Sequence, residues 1–169
     1  MVRIFGMGDW NDPYWRFYPQ EYPDFPIRLR AFVDLAEAHG LRVEWTVFAD
    51  TPRVMPDRDE QRAHLATVAR VLAGGPHLIE LVNENEIPVN HVETDRFLQP
   101  ADVVASHGSN GSQSAPVEFF WTYATFHTNG APEEQRKIGH NAWEIWHGPT
   151  ITNETSRYPE VGMWRSASL

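Results

Sequence analysis

The chain has no cysteine in its 169 residues, which excludes disulfides, thiol nucleophiles, Cys-built zinc sites and iron–sulfur clusters. Any metal would have to rest on His and carboxylate ligands. Positive charge is also scarce. The 14 Lys and Arg stand against 23 Asp and Glu, a net charge of −9, which argues against nucleic acid and anionic membrane surfaces as partners. No run of about 18 apolar residues occurs. The opening Met1-Val2-Arg3-Ile4-Phe5-Gly6 lacks the basic and long apolar regions of a secretory signal. No segment that spans or targets a membrane is expected. A phosphate-cradling turn is missing too: Gly6 and Gly8 follow the first apolar stretch, but no G-x-G-x-x-G is completed. Trp10 to Tyr14 does not read as a helix start, so a dinucleotide site is not expected.

Hydrophobic residues make up 41% of the chain and charged residues 22%, the balance of an ordinary globular domain rather than a disordered one. Seven Trp and thirteen Pro supply ring surfaces and looped connections, suited to flat apolar ligand faces such as sugars and equally to a plain core. Strand patterns alternate with helix patterns. Val2 to Gly6, Arg42 to Phe48, Leu78 to Val82, Asp102 to Ser106, Thr122 to Phe126 and Thr150 to Thr152 read as strands. One helix starts at Asp24 and Pro26 and stops at Gly40, with Leu29, Phe32, Val33 and Ala36 at helical spacing. A second opens at Asp57 with Glu60 three positions on and ends at Gly74-Gly75, and a third runs from Ala131 to Gly148. Gly8 to Pro23 and Gly108 to Val117 read as loops. The strand starts are spaced close to the roughly 30 residues of a βα unit. This predicts one α/β domain over residues 1–169, with parallel strands in an open doubly wound sheet or a (β/α)8 barrel.

Both folds bind ligands at the carboxyl ends of their strands, and polar residues gather there: Asp9 and Asn11, Asp50, Asn83 with Glu84 and Glu86, His107, His127 with Asn129, Asn153 with Glu154. Taken singly, each is as well explained by capping or loop hydrogen bonding. Two strand ends share the dipeptide Asn-Glu, which would bring the Glu84 and Glu154 carboxylates to one pocket. Carboxyl groups about 5–5.5 Å apart suit retaining glycoside hydrolysis, and about 6.5–9.5 Å suits inversion. Sequence spacing leaves both distances open.

The stretch Ile79-Glu80-Leu81-Val82-Asn83-Glu84 resembles the fourth-strand motif of the large clan of (β/α)8 retaining glycoside hydrolases. Gly148-Pro149-Thr150-Ile151-Thr152-Asn153-Glu154 is similar to that clan's seventh-strand segment, and Val2-Arg3-Ile4-Phe5-Gly6-Met7 to its second strand. The resemblance implies a TIM-barrel-like fold, incomplete because the first βα unit is absent, with the six strands standing as strands two to seven. It implies Glu84 as acid/base, Glu154 as nucleophile, Asn83 as a contact to the sugar 2-hydroxyl, and Arg3 beneath the nucleophile. His107 and His127 would bond sugar or supporting groups, Trp10 would offer a stacking face, as would Trp15 or Trp121, and Trp164 of an eighth strand would floor the sugar site. No cofactor or metal is implied. The chain departs from the clan at Asn85, where Pro is usual, and in His127-Thr128-Asn129, which lacks the Tyr that commonly follows the histidine.

The expected function is a retaining glycoside hydrolase acting on a β-linked carbohydrate substrate. The alternative is a non-catalytic carbohydrate-binding or assembly domain derived from a truncated barrel. An open barrel would expose strand edges, so a preceding segment or self-association is expected to cover them. A metal-dependent hydrolase built on His107 and His127 has no H-x-x-x-H or H-E-x-x-H spacing behind it.

Overall fold

The computed structural model describes residues 1–9, 16–83 and 88–92 in full, and residues 124–127 and 150–154 by their backbone. The strands expected at the front of the chain form a parallel sheet. Strand β1 (Val2–Phe5) pairs with β4 (Val43–Phe48), and β4 with β5 (Leu78–Val82), in the spatial order β1-β4-β5. Between β1 and β4 come a two-stranded antiparallel ribbon, β2 (Gly8–Asp9) with β3 (Arg16–Phe17), a 3-10 turn at Pro19–Glu21, and helix α1 (Phe25–Ala38). Short α2 (Thr51–Val54) and long α3 (Arg58–Leu72) join β4 to β5. Parallel neighbours need such crossovers, which is why helices separate them in the chain.

Local signals set both long helices. In α1, Phe25, Leu29, Val33 and Ala36 are buried at spacings of four, four and three, the stripe that faces a core. The helix ends where Gly40, at φ +70°, lets the Gly40 N–H reach the Glu37 carbonyl at 2.8 Å and the Leu41 N–H the Ala36 carbonyl at 2.9 Å. That pair of bonds satisfies carbonyls the helix would otherwise strand. In α3 the Asp57 carboxylate accepts from the Asp59 and Glu60 amides at 2.9 and 3.0 Å, and Leu65, Val68 and Leu72 are buried. The Arg30 guanidinium on α1 ties the two helices by donating to the Val71 carbonyl at 2.9 Å.

Alternation along the strands gives the sheet two unlike faces. Val43, Trp45, Val47, Ile79 and Leu81 share one face and belong to the hydrophobic core with α1 and α3. The Trp45 ring packs 6.4 Å from Phe25 and 6.2 Å from Phe32. The other face carries Arg3, Glu44, Thr46 and Glu80, of which the last three have no exposed surface. Burying each of the large core side chains stabilises the fold by about 1.5–3 kcal/mol. Within this set Arg3 and Thr46 both bond the Glu80 carboxylate, which offsets the cost of burying it.

Further along, β6 (Ala124–His127) pairs in parallel with β7 (Thr150–Glu154). At their carboxyl ends both strands reach past the expected limits. The first takes in His127, and the second takes in Asn153 and Glu154. A strand ends where its partner's ladder ends, a fact that local propensity does not carry. The strand expected at residues 102–106 and the helix expected at 131–148 lie outside the described residues.

Candidate functional site

Among the described residues, the polar network on one face of the three-stranded sheet, reaching to Asn83 just past the end of β5, is the best-formed constellation. Arg3 lies on β1, and its Nε donates to Glu80 Oε2 on β5 at 2.7 Å, reaching across the intervening strand β4. The central strand contributes Thr46, whose hydroxyl donates to the same Glu80 oxygen. A second guanidinium nitrogen of Arg3 donates to Asn83 Oδ1 at 2.9 Å. Arg3 is 10% exposed and Glu80 fully buried at this ion pair, so the charges are shielded from water and meet at charge-assisted hydrogen-bond distance. The guanidinium also stands 4.5 Å from the centre of the Phe5 ring, a cation–π contact that holds its plane.

Asn83 is held from two sides. Its backbone N–H donates to the Phe48 carbonyl at 3.0 Å, which extends the β4–β5 ladder one step past the end of β5. Its side-chain oxygen receives Arg3. Because Arg3 has donors only, the Asn83 amide oxygen is the atom that faces it. Glu84, the next residue, lies outside the described residues, as do Trp10, His107 and Trp164.

A second cluster forms beside the first, where β4 gives way to α2. Asp50 adopts a left-handed backbone at φ +53°, a conformation that Asp tolerates better than most residues. Its own N–H is taken by the side chain of buried Asn90 at 2.9 Å, and the Thr51 hydroxyl donates to the Asn90 carbonyl at 3.2 Å. The Asp50 carboxylate accepts from the Asp9 amide at 3.0 Å. Tyr18 donates to the Asp9 carboxylate at 2.7 Å and Arg53 to the Asp9 carbonyl at 2.7 Å. The bond to the Asp9 carboxylate holds the Tyr18 phenol above its ordinary pKa. Asp9 and Asp50, read from the sequence as strand-end polar residues, are thus brought together.

In the β6–β7 pair, the register sets Ala124, Thr125 and Phe126 opposite Thr150, Ile151 and Thr152, and then His127 opposite Glu154. Asn153 is the extra residue where the register shifts, an irregularity of the kind that re-aims neighbouring residues at strand ends. Two of the residues singled out from the sequence therefore share one end of one parallel ladder.

Sequence reasoning did not single out Glu80, Thr46, Asn90, Tyr18 or Arg53. Glu80 had a legible signal, a lone carboxylate inside the apolar run Leu78-Ile79-Glu80-Leu81-Val82. A charge in such a run is either solvated or paired, and here it is paired. Among the described residues no group of three or more His, Asp and Glu could hold a metal ion, and no described helix is long and apolar enough to cross a membrane. Compared with protein-family models, with curated proteins and with solved structures, the chain matches none.

Proposed function

We infer that the chain is a retaining glycoside hydrolase of β-linked oligo- or polysaccharide, built on strands of a (β/α)8 barrel. The observation that carries this reading is the 2.9 Å bond from Arg3 to Asn83. It joins the arginine of one motif to the asparagine of the Asn83-Glu84 pair, two residues that the clan resemblance assigns to one sugar site. The serial parallel order β1-β4-β5 and the opposition of His127 and Glu154 at the end of β6 and β7 agree with it.

In this reading Glu154 attacks the anomeric carbon while Glu84 delivers its proton to the departing glycosidic oxygen. A glycosyl ester on Glu154 forms and the leaving sugar departs as an alcohol. Water, giving its proton to the now ionised Glu84, then releases the sugar and restores both carboxyl groups, so the anomeric configuration is retained. Asn83, fixed by Arg3 and by the Phe48 carbonyl, donates to the sugar oxygen beside the reacting carbon. The net charge of −9 suits neutral glycans.

The test is a panel of β-linked oligosaccharides and aryl β-glycosides, with the product anomer read by NMR. Retention is expected, with Glu84→Gln and Glu154→Gln each lowering kcat on oligosaccharides by about a hundredfold or more. A 2-deoxy-2-fluoro glycoside should label Glu154, detected by mass spectrometry. Unchanged hydrolysis in Glu154→Gln overturns the assignment. Saturable glycan binding with no product, unaffected by Glu154→Gln, replaces it with the non-catalytic binding domain.

A further inference from the structure

The geometry points to Glu80 as the positioning residue of this site, a buried carboxylate that holds Arg3 so that Arg3 can hold Asn83. The inference rests on the glycosidase reading for its kinetic readout. Three observations carry it. Glu80 has no exposed surface, and a buried carboxylate is costly unless paired and hydrogen-bonded. Its Oε2 gathers two donors from two different strands, Arg3 Nε on β1 at 2.7 Å and the Thr46 hydroxyl on β4. The same guanidinium, clamped at Nε, is left with a second nitrogen directed at Asn83 Oδ1, 2.9 Å away.

The chain Thr46, Glu80, Arg3, Asn83 therefore converts the register of three strands into one amide orientation. Arginine suits this task because its planar fork serves two acceptors in fixed geometry, whereas a lysine ammonium is a single flexible point charge. Glu80 has an electrostatic role as well. Its carboxylate supplies the negative charge paired with the Arg3 cation at 2.7 Å.

The two roles separate experimentally on the full chain. Glu80→Gln keeps the shape and an acceptor for Arg3 but removes the negative charge. Both limbs of the pH profile of kcat/KM should then move to lower pH by about one unit, the direction that loss of a nearby negative charge imposes on carboxyl groups. Arg3→Lys keeps the charge and loses the fork. Its limbs should stay in place while kcat falls by about tenfold or more with little change in KM, as when a reacting group is misplaced.

A second measurement needs no activity: the Asn83 side-chain N–H pair in 15N spectra should be resolved in the native chain and should shift or collapse in Arg3→Lys and in Glu80→Gln. A folded Glu80→Gln chain whose pH limbs do not move, in an active enzyme, overturns the inference and leaves the glycosidase reading standing. A native chain without hydrolysis ends that reading instead. The Asn83 signal then decides alone: collapse in the variants upholds Glu80 as the positioning group of a site with other chemistry, and an unchanged signal overturns it.

Discussion

At the scale of single residues, Gly6 shows how a backbone approach, not a ligand, can require glycine. Its N–H donates to the Thr46 carbonyl at 2.7 Å. A Cβ there would press on the Trp45 indole nitrogen, 3.0 Å from indole Cε2 and 2.8 Å from the Thr46 carbonyl oxygen. Glycine to alanine usually stabilises by about 0.4–1 kcal/mol by stiffening the unfolded chain. Here the sign reverses, because the obstructing atoms are backbone and a buried ring. Gly6→Ala is expected to lower stability by about 1–3 kcal/mol, measured by urea unfolding as a lower midpoint at unchanged slope. The sequence places Gly6 at the end of the first expected strand, but the ring against it comes from Trp45 on β4, far along the chain.

At the scale of elements, α1 and α3 are legible because their signals are short-range. Asp57, the apolar spacing after it and Gly74 mark α3 within two turns of chain at each end. Asp57 satisfies two amides that the first turn of α3 leaves without partners. Asp57→Ala should therefore cost about 1 kcal/mol, again read by denaturant unfolding, and Asp57→Ser should recover most of it. At α1 the start is less literal. Asp24 occupies the cap position without a side-chain cap bond, and its carboxylate takes the Arg28 guanidinium at 2.8 Å instead. The ribbon β2–β3 falls in a stretch that reads as loop, since two-residue strands carry no periodicity.

At the scale of the whole molecule, acid should weaken the fold through His64. This side chain of α3 is nearly buried, with its ring 5.2 Å from Phe25 and 6.0 Å from Phe48. Burial lowers its pKa from the usual 6.5 to about 4, opposed in part by a hydrogen bond to the Val47 backbone. Between these two values the unfolded chain binds the proton and the folded chain does not, so stability falls as pH falls through that window. The contribution is fully present above pH 6.5 and lost by about pH 4, a change of about 3 kcal/mol. His64→Gln removes this titration. Unfolding measured from pH 7 to 4 should show the native chain losing about that much more stability than the variant, and parallel curves would contradict it.

The sequence by itself determined the helices α1 and α3, the strands β1, β4 and β5, and their alternation, because caps and periodicity act within a few residues. It also marked Arg3, Asn83, His127 and Glu154 as residues with chemistry to offer. Only the tertiary structure decided that Arg3 meets Glu80 and Asn83, residues 77 and 80 positions away, since strand order and register set which side chains share a face. The left-handed turn at Asp50 is settled in the same way, by Asn90, 40 positions on. The lengths of β6 and β7, and with them the opposition of His127 and Glu154, belong to the ladder between the strands and to neither strand alone.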